Sequence, residues 1–397
     1  MTDPSPVAPS RKLRIMLVAG EPSGDALGGR LMAALKLRTL GRVQFLGVGG
    51  ERMAEQGLAS HFPMSDLSVM GLVEVLPRIP RVLRRIGQLA RFVLAEQPDA
   101  VVTIDAPGFN MRLARRLRGR GIPLIHYVAP TVWAWRPKRA RKSARLLDHL
   151  LVLLPFEPPY FEHEGLATTF VGHPVIETQT NHMRAEHFRA QHGIDPATPL
   201  LAVLPGSRSG EVRRHLPVFG AAVALLHARF PDLRLVMPTV GPVAGEVREA
   251  AAHWAAPAII VENEAMKLAA MAACNAALAA SGTVALELAV AGVPSVIAYR
   301  LHPLTAALAR RLVKVRYVNL VNILLNRPAV PELLQENCEP EKLAAAVERV
   351  MIDPNVREAQ RSAAAEAVKM LGYGGEAPSL RAADAILRAI AVGPRRR

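Results

Sequence analysis

The sequence predicts an α/β protein made of two Rossmann-like domains, each built on a parallel sheet. Three observations predict it. Short apolar runs rich in β-branched residues alternate with Ala/Leu/Arg-rich helical stretches. The runs are apolar on both faces, as strands covered by helices on each side must be. The alternation comes as two series, and 397 residues suffice for two domains at roughly 100–200 residues each.

The first series of strands reads Arg14–Ala19, Val43–Val48, Ala100–Asp105, Leu124–Val128, Leu150–Leu154 and Thr168–Val171. The second reads Leu200–Leu204, Leu233–Met237, Ala258–Val261, Ala276–Ala280 and Ser295–Tyr299. Between them Gly172-His173-Pro174 and the polar stretch Glu177–Gln191 mark a break, giving a first domain over 1–174 and a second over 175–397. His173 reads either as a ligand or as a turn-capping histidine. Pro340–Ala391 reads as two or three Ala-rich helices, counted with the second domain and free to pack back on the first. A helix from Pro80 puts Val82, Leu83, Ile86, Leu89, Ala90, Val93 and Leu94 on one face. Arg81, Arg84, Arg85, Gln88, Arg91 and Phe92 take the opposite face. The helix body suits packing on the sheet. Phe92 among arginines, with the apolar stretch Val69–Leu76 ahead of it, points to an acyl-chain pocket or an anionic leaflet.

Charge narrows the partners. The chain carries 49 Lys+Arg against 34 Asp+Glu, a net of +15, and residues 1–174 hold 24 and 14 of these, a net of +10. Such an excess suits nucleic acid, an anionic membrane surface or phosphorylated small molecules. Aromatics are only 5% of the chain, and no helix-turn-helix, zinc-finger or RNA-recognition signature is present, which argues against nucleic acid. Cys274 and Cys338 are too few for a disulfide scaffold and suit a reducing compartment. No apolar run reaches the roughly 18–20 residues of a membrane span, and the Pro-rich start lacks the core of a signal peptide. The expectation is a soluble cytoplasmic protein.

Open parallel sheets bind ligands beyond the carboxyl ends of their strands, so the residues following each run matter most. The first run leads into Gly20-Glu21-Pro22-Ser23-Gly24-Asp25. This is neither G-x-G-x-x-G nor a Walker A loop, which argues against a nicotinamide dehydrogenase and a P-loop NTPase. Asp25 reads as a helix cap or a site residue, and Glu21 as a carboxylate facing the crevice. Asp105 ends another run before a Pro-Gly turn, the rigid placement a general base needs; a turn-capping Asp is the alternative. Trp133 and Trp135 share one loop, followed by the cations of Arg136–Lys142. They suit a sugar face, an acyl chain or a phosphate, or else packing between domains.

In the second half, Gly206-Ser207-Arg208 enters a helix in a way that suits a diphosphate. Ser281-Gly282-Thr283 can cap a helix or donate to phosphate, and Glu287 offers two acceptor oxygens to a ribose diol. Two such turns in one domain fit a nucleotide diphosphate. With no Asp-x-Asp, His-Glu-x-x-His or Cys-x-x-Cys, neither a metal nor a cofactor is expected. Neutralising a leaving diphosphate then falls to Arg208 and the 281–283 turn.

These motifs together resemble the lipid-A-disaccharide synthases, glycosyltransferase family 19 of Gram-negative bacteria. The matching segments are Gly20–Asp25, Gly47–Gly50, Val69–Glu74, Ile104–Asn110, Pro130–Trp135, Val171–Pro174, Leu204–Arg208 with Glu211, Ala280–Glu287 and Pro331–Leu334. The resemblance implies a GT-B fold, two domains facing a cleft. It implies inverting transfer from UDP-2,3-diacylglucosamine to the 6-hydroxyl of 2,3-diacylglucosamine 1-phosphate (lipid X), giving a β-1,6 tetraacyl disaccharide 1-phosphate and UDP. Asp105 matches the family's base, and Glu21 and Arg208 match residues needed for activity. Gly206, Ser207, Arg208, Ser281, Gly282, Thr283, Glu287 and Asn322 would hold UDP. Ser23, Val69, Met70, Leu72, Val73, Trp133 and Trp135 would meet the acceptor and its acyl chains. Two departures stand out. Tyr-Val-Asn-Leu-Val-Asn over 317–322 replaces the usual Tyr-Val-Ser-Leu-Pro-Asn, leaving Asn319 as an alternative to Asn322, and Gly108 stands where the family often has Asp. The implied setting is the cytoplasm, peripheral to the anionic inner leaflet, with no nucleic acid and with a homodimer left open. Another GT-B enzyme, such as a sugar-nucleotide epimerase or a muropeptide glycosyltransferase, is the competing expectation.

Overall fold

The structure, a computed structural model, describes residues 11–67, 72–134, 138–177, 182–302, 306 and 315–395. The chain forms two compact units, Met1–Pro174 with Leu371–Arg397, and Val175–Met370.

The first unit holds β1 (Leu13–Ala19), β2 (Val43–Val48), β3 (Ala100–Ile104), β4 (Leu124–Tyr127), β5 (His149–Val152) and β6 (Ala167–Phe170). They pair in parallel in the order β2-β1-β3-β4-β5-β6. Side chains alternate between the two faces of each strand, and each face has its own core. Met16, Val18, Val101 and Leu150 meet Ile86, Leu89 and Val93 of the helix Leu72–Glu96 and Leu113 and Leu117 of the helix Pro107–Leu117. Ile15, Leu17, Val102 and Leu151 meet Leu31 and Leu35 of the helix Pro22–Arg38 and Ala382 and Ile386 of the last helix, Pro378–Val392. Several helices open on proline, whose missing N–H and fixed φ suit the first turn.

The second unit holds β7 (Leu200–Leu204), β8 (Arg234–Pro238), β9 (Ala258–Val261), β10 (Ala276–Ala280), β11 (Ser295–Tyr299) and β12 (Glu332–Leu334). Their parallel order is β12-β11-β10-β7-β8-β9. One core packs Leu201, Val203, Met237 and Leu278 against Phe219 and Val223 of the helix Ser209–Arg229 and Leu343 and Val347 of the helix Pro340–Ile352.

Two features differ from the sequence reading, and a third was left open by it. Strand β12 was not expected: it is three residues long, too short to show periodicity. The basic helix begins at Leu72 rather than Pro80, so residues 72–76 are its first turns and not a separate apolar stretch. The last helix lies in the first unit, where Arg38 pairs with Glu376 and with Asp384, the latter at 2.9 Å.

Candidate functional site

In both sheets the chain reverses its direction of winding beside the strand nearest the centre. That is where an open α/β sheet leaves a crevice at its carboxyl edge. In the first unit the reversal lies between β1 and β3, and in the second between β7 and β10. The candidate polar residues cluster at these two edges.

At the first edge, β1 leads to Glu21, the residue that opens the helix Pro22–Arg38, with Ser23 exposed in its first turn. β3 leads to Asp105. The two turns touch: a Cβ added at Gly20 would lie 3.1 Å from the Ala106 Cβ, a tight contact that a side chain could make only by shifting its neighbour. Asp105 and Ala106 are both left-handed, with φ of 49° and 41°. Consecutive non-glycine residues in this region persist only where the surroundings over-determine them, and Asn110 does so here. It is fully buried, and its Nδ2 donates to the Asp105 carbonyl at 2.7 Å and the Ile104 carbonyl at 3.1 Å. The Asp105 N–H donates to the Tyr127 carbonyl at 2.9 Å. Beneath the turn, the Thr103 hydroxyl lies 2.8 Å from Nδ1 of His126. Burial pushes that imidazole down to about 4, so it is neutral at physiological pH.

Asp25 takes the cap role left open by the sequence, but for a different helix. Its carboxylate accepts the N–H groups of Gly50 (2.7 Å), Arg52 (3.0 Å) and Met53 (3.1 Å), at the start of the helix Glu51–Glu55.

Trp133 is held rather than free. Its Nε1 donates to Glu157 at 3.3 Å, and its ring packs edge-on to Phe156 at 5.3 Å. Burial raises the Glu157 carboxyl to about 7 despite the N–H groups of Leu154 and Trp133 bonded to it. Leu72 and Val73 open the basic helix, whereas Val69, Met70 and Trp135 lie outside the described residues. Phe92 is explained by packing: it stacks on His61 at 4.1 Å. Nearby, Arg85 bonds Asp66 at 2.6 Å and lies over the Phe62 ring. Part of the basic face is therefore engaged within the fold.

At the second edge, Gly206 has φ of 129°, and a Cβ there would sit 3.0 Å from that of Glu211. Arg208 opens the helix Ser209–Arg229 with its side chain 76% exposed. It lies 3.3 Å from Glu211, which also accepts the Tyr299 hydroxyl at 3.0 Å. An exposed pair of this kind contributes little, leaving Arg208 able to swing to an anion. Gly206, Ser207, Ser281, Gly282, Thr283 and Glu287 line one cavity of about 130 Å³. The Ser281 hydroxyl donates to the Val318 carbonyl at 3.1 Å, so its hydrogen is already committed.

Asn322 is not brought to this cavity. Its amide is spent on the Val330 N–H and carbonyl and on Glu332, each at 2.8 Å. Asn319 caps the helix Leu320–Leu325 through the Val321 N–H at 2.9 Å. Three residues that sequence reasoning missed join the site. Lys267 pairs with Glu287 at 2.8 Å. Thr239 lines the cavity with its buried hydroxyl unbonded among the described residues. His215 accepts the Arg300 N–H at 3.0 Å, which leaves its Nδ1–H to donate to the Pro205 carbonyl at 2.8 Å; this holds the turn ahead of Gly206. None carries a local signal: Glu287 and Arg300 lie far along the chain from Lys267 and His215, and Thr239 joins only through the cavity the fold makes.

Comparisons with known proteins give the family and the fold. A model of the family described as lipid-A-disaccharide synthetase matches residues 15–375. The lipid-A-disaccharide synthase of Rhodospirillum centenum is 58% identical, covering 96% of this chain and 95% of its own. That of Paramagnetospirillum magneticum is 53% identical, with coverages of 96% and 99%. Among solved structures, the UDP-GlcNAc 2-epimerase of Neisseria meningitidis bound to UDP-GlcNAc superposes with a TM-score of 0.62 at 12% identity, covering 96% of this chain and 99% of that one. The kitacinnamycin glycotransferase gives 0.61 at 20% identity, with the same coverages. Both likenesses show the fold, which is α/β of the GT-B type.

Proposed function

Because the chain belongs to the lipid-A-disaccharide synthase family of glycosyltransferases, we propose that it transfers 2,3-diacylglucosamine from UDP to the 6-hydroxyl of 2,3-diacylglucosamine 1-phosphate. Inversion at the anomeric carbon needs one displacement. Asp105 takes the proton of the 6-hydroxyl as that oxygen attacks. The bond to UDP breaks, and its electron pair passes to the β-phosphate. Arg208, with the backbone N–H groups of the Gly206–Ser207 turn and the following helix start, stabilises the departing charge. The Lys267–Glu287 pair and the Thr239 hydroxyl hold the nucleoside. Glu21, on the turn beside Asp105, orients the acceptor sugar, and Trp133 meets its acyl chains.

What supports this reading is the clustering of the family's residues at both carboxyl edges, with a strained, over-determined aspartate turn at one of them. No helix among the described residues is long and apolar enough to cross a membrane. We assign part of the +10 excess of residues 1–174 to peripheral contact with an anionic cytoplasmic leaflet and to the phosphorylated acceptor. The test is direct. Incubation with UDP-2,3-diacylglucosamine and 2,3-diacylglucosamine 1-phosphate should yield the tetraacyl disaccharide 1-phosphate by mass spectrometry. Its absence would sink the proposal.

A further inference from the structure

A second cavity lies in the first unit, beside the Asp105 turn. It measures about 410 Å³ and is lined by Pro107, Gly108, Met111, Pro130 and Ser143 together with four cations, Arg112, Arg115, Arg139 and Lys142. No acidic residue lines it. The local sequence explains why: residues 101–150 carry 11 Lys+Arg and only two acids, Asp105 and Asp148. Asp148 is engaged by the Leu124 N–H at 2.8 Å. Arg112 donates to the Gly108 carbonyl of its own helix. Arg115 and Lys142 have no ion-pair partner among the described residues. Ser143 is 2% exposed, yet its hydroxyl makes no hydrogen bond among the described residues.

Like charges around one cavity repel, and an anion placed among them removes that cost. Guanidinium forks match the oxygens of a phosphate, and a buried hydroxyl adds a further donor. We propose that this cavity is the subsite for the phosphate monoester of the acceptor sugar. The inference rests on the acceptor reading above. The cavity begins at Pro107, two residues beyond Asp105, and follows the helix to Arg115, seven residues past Gly108 and so about 10 Å along its axis. In the acceptor the 6-hydroxyl and the 1-phosphate hang from C5 and C1, the two carbons that flank the ring oxygen, so the group that holds the phosphate must lie near the base. The cavity meets that need, since it opens at Pro107 beside the Asp105 turn, and Met111 and Pro130 offer apolar contact to the ring.

The test is the double variant R115A/K142A, at two exposed positions outside the catalytic turn. Its kinetics are compared with wild type in neutral detergent micelles, using the acceptor with its phosphate and the same sugar without it. The KM for the phosphorylated acceptor should rise roughly ten- to hundredfold. The kcat, the donor KM and the KM for the dephosphorylated acceptor should stay within about twofold. An unchanged KM for the phosphorylated acceptor, or equal rises for both acceptors, would overturn the subsite. Sedimentation with vesicles containing an anionic phospholipid separates the other phosphate source. Loss of vesicle binding with wild-type micellar kinetics would assign these cations to lipid headgroups and refute the proposal. Failure of the wild-type protein to form disaccharide from either acceptor would overturn the acceptor reading itself, and the subsite with it.

Discussion

Ionising Glu157 costs the first unit stability, and the cost has a defined pH window. Its carboxyl titrates near 4.5 in an unfolded chain and at about 7 when folded, because burial outweighs the N–H groups of Leu154 and Trp133. Between these values the folded protein binds the proton that the unfolded chain has lost. Stability from this group is therefore fully present below about pH 4.5, falls as pH rises towards 7, and levels off above it. A difference of about 2.5 pKa units corresponds to about 3 kcal/mol at most. Roughly 2 kcal/mol of that falls between pH 5.5 and 8. Glu157→Gln keeps an oxygen for Trp133 and removes the titration. Guanidinium unfolding of both proteins at several pH values isolates the effect, since other groups cancel in the difference. Relative to wild type, the Gln variant should gain about 2 kcal/mol from pH 5.5 to 8. A difference that stays flat with pH would refute the argument that burial dominates at this carboxylate.

Other perturbations follow from the same contacts. Asp105→Asn should reduce turnover at least about a hundredfold, the scale of a lost general base, while isothermal titration shows wild-type UDP affinity; near-normal turnover would remove Asp105 as the base. Arg208→Ala should weaken UDP binding by about 1.5–3 kcal/mol in the same titration, with little change in melting temperature, since its contact with Glu211 is exposed. Asp25→Ala leaves the N–H groups of Gly50, Arg52 and Met53, at the start of the helix Glu51–Glu55, without their acceptor. Chemical denaturation should show a loss of about 2–4 kcal/mol, and a loss under about 0.5 kcal/mol would mean the cap is dispensable.

The parallel strands were legible because each is a short run apolar on both faces, and β7, β9, β10 and β11 begin and end where the runs do. Strand β12 was not, because Glu332–Leu334 is ordered by its partner β11 and by the residues Glu332 holds, not by its own pattern. The helix Leu72–Glu96 was read short because Pro77 and Pro80 look like a boundary, yet the chain is helical through both. Asp105 and the two glycine turns could be found from position alone, since strand ends face the crevice in this architecture. Asp25 could not be resolved, because its partners sit about 25 residues downstream. Lys267, Thr239 and His215 were invisible for the same reason: their importance comes from what the fold sets beside them.

The return of the helix Pro378–Val392 to the first sheet has a consequence for synthesis. Ile15, Leu17, Leu31 and Leu35 reach the ribosome's exit early, but Ala382 and Ile386, which complete their core, come after the whole of Val175–Met370. At 5–20 residues per second, that interval lasts roughly 10–40 s. During it the nascent first unit shows an unfinished apolar face, and at its end the second unit has every segment it needs to fold while the helix Pro378–Val392 is still to come. The second unit is thus the one able to fold first, although it is made later, and the exposed face is where a chaperone would bind the growing chain.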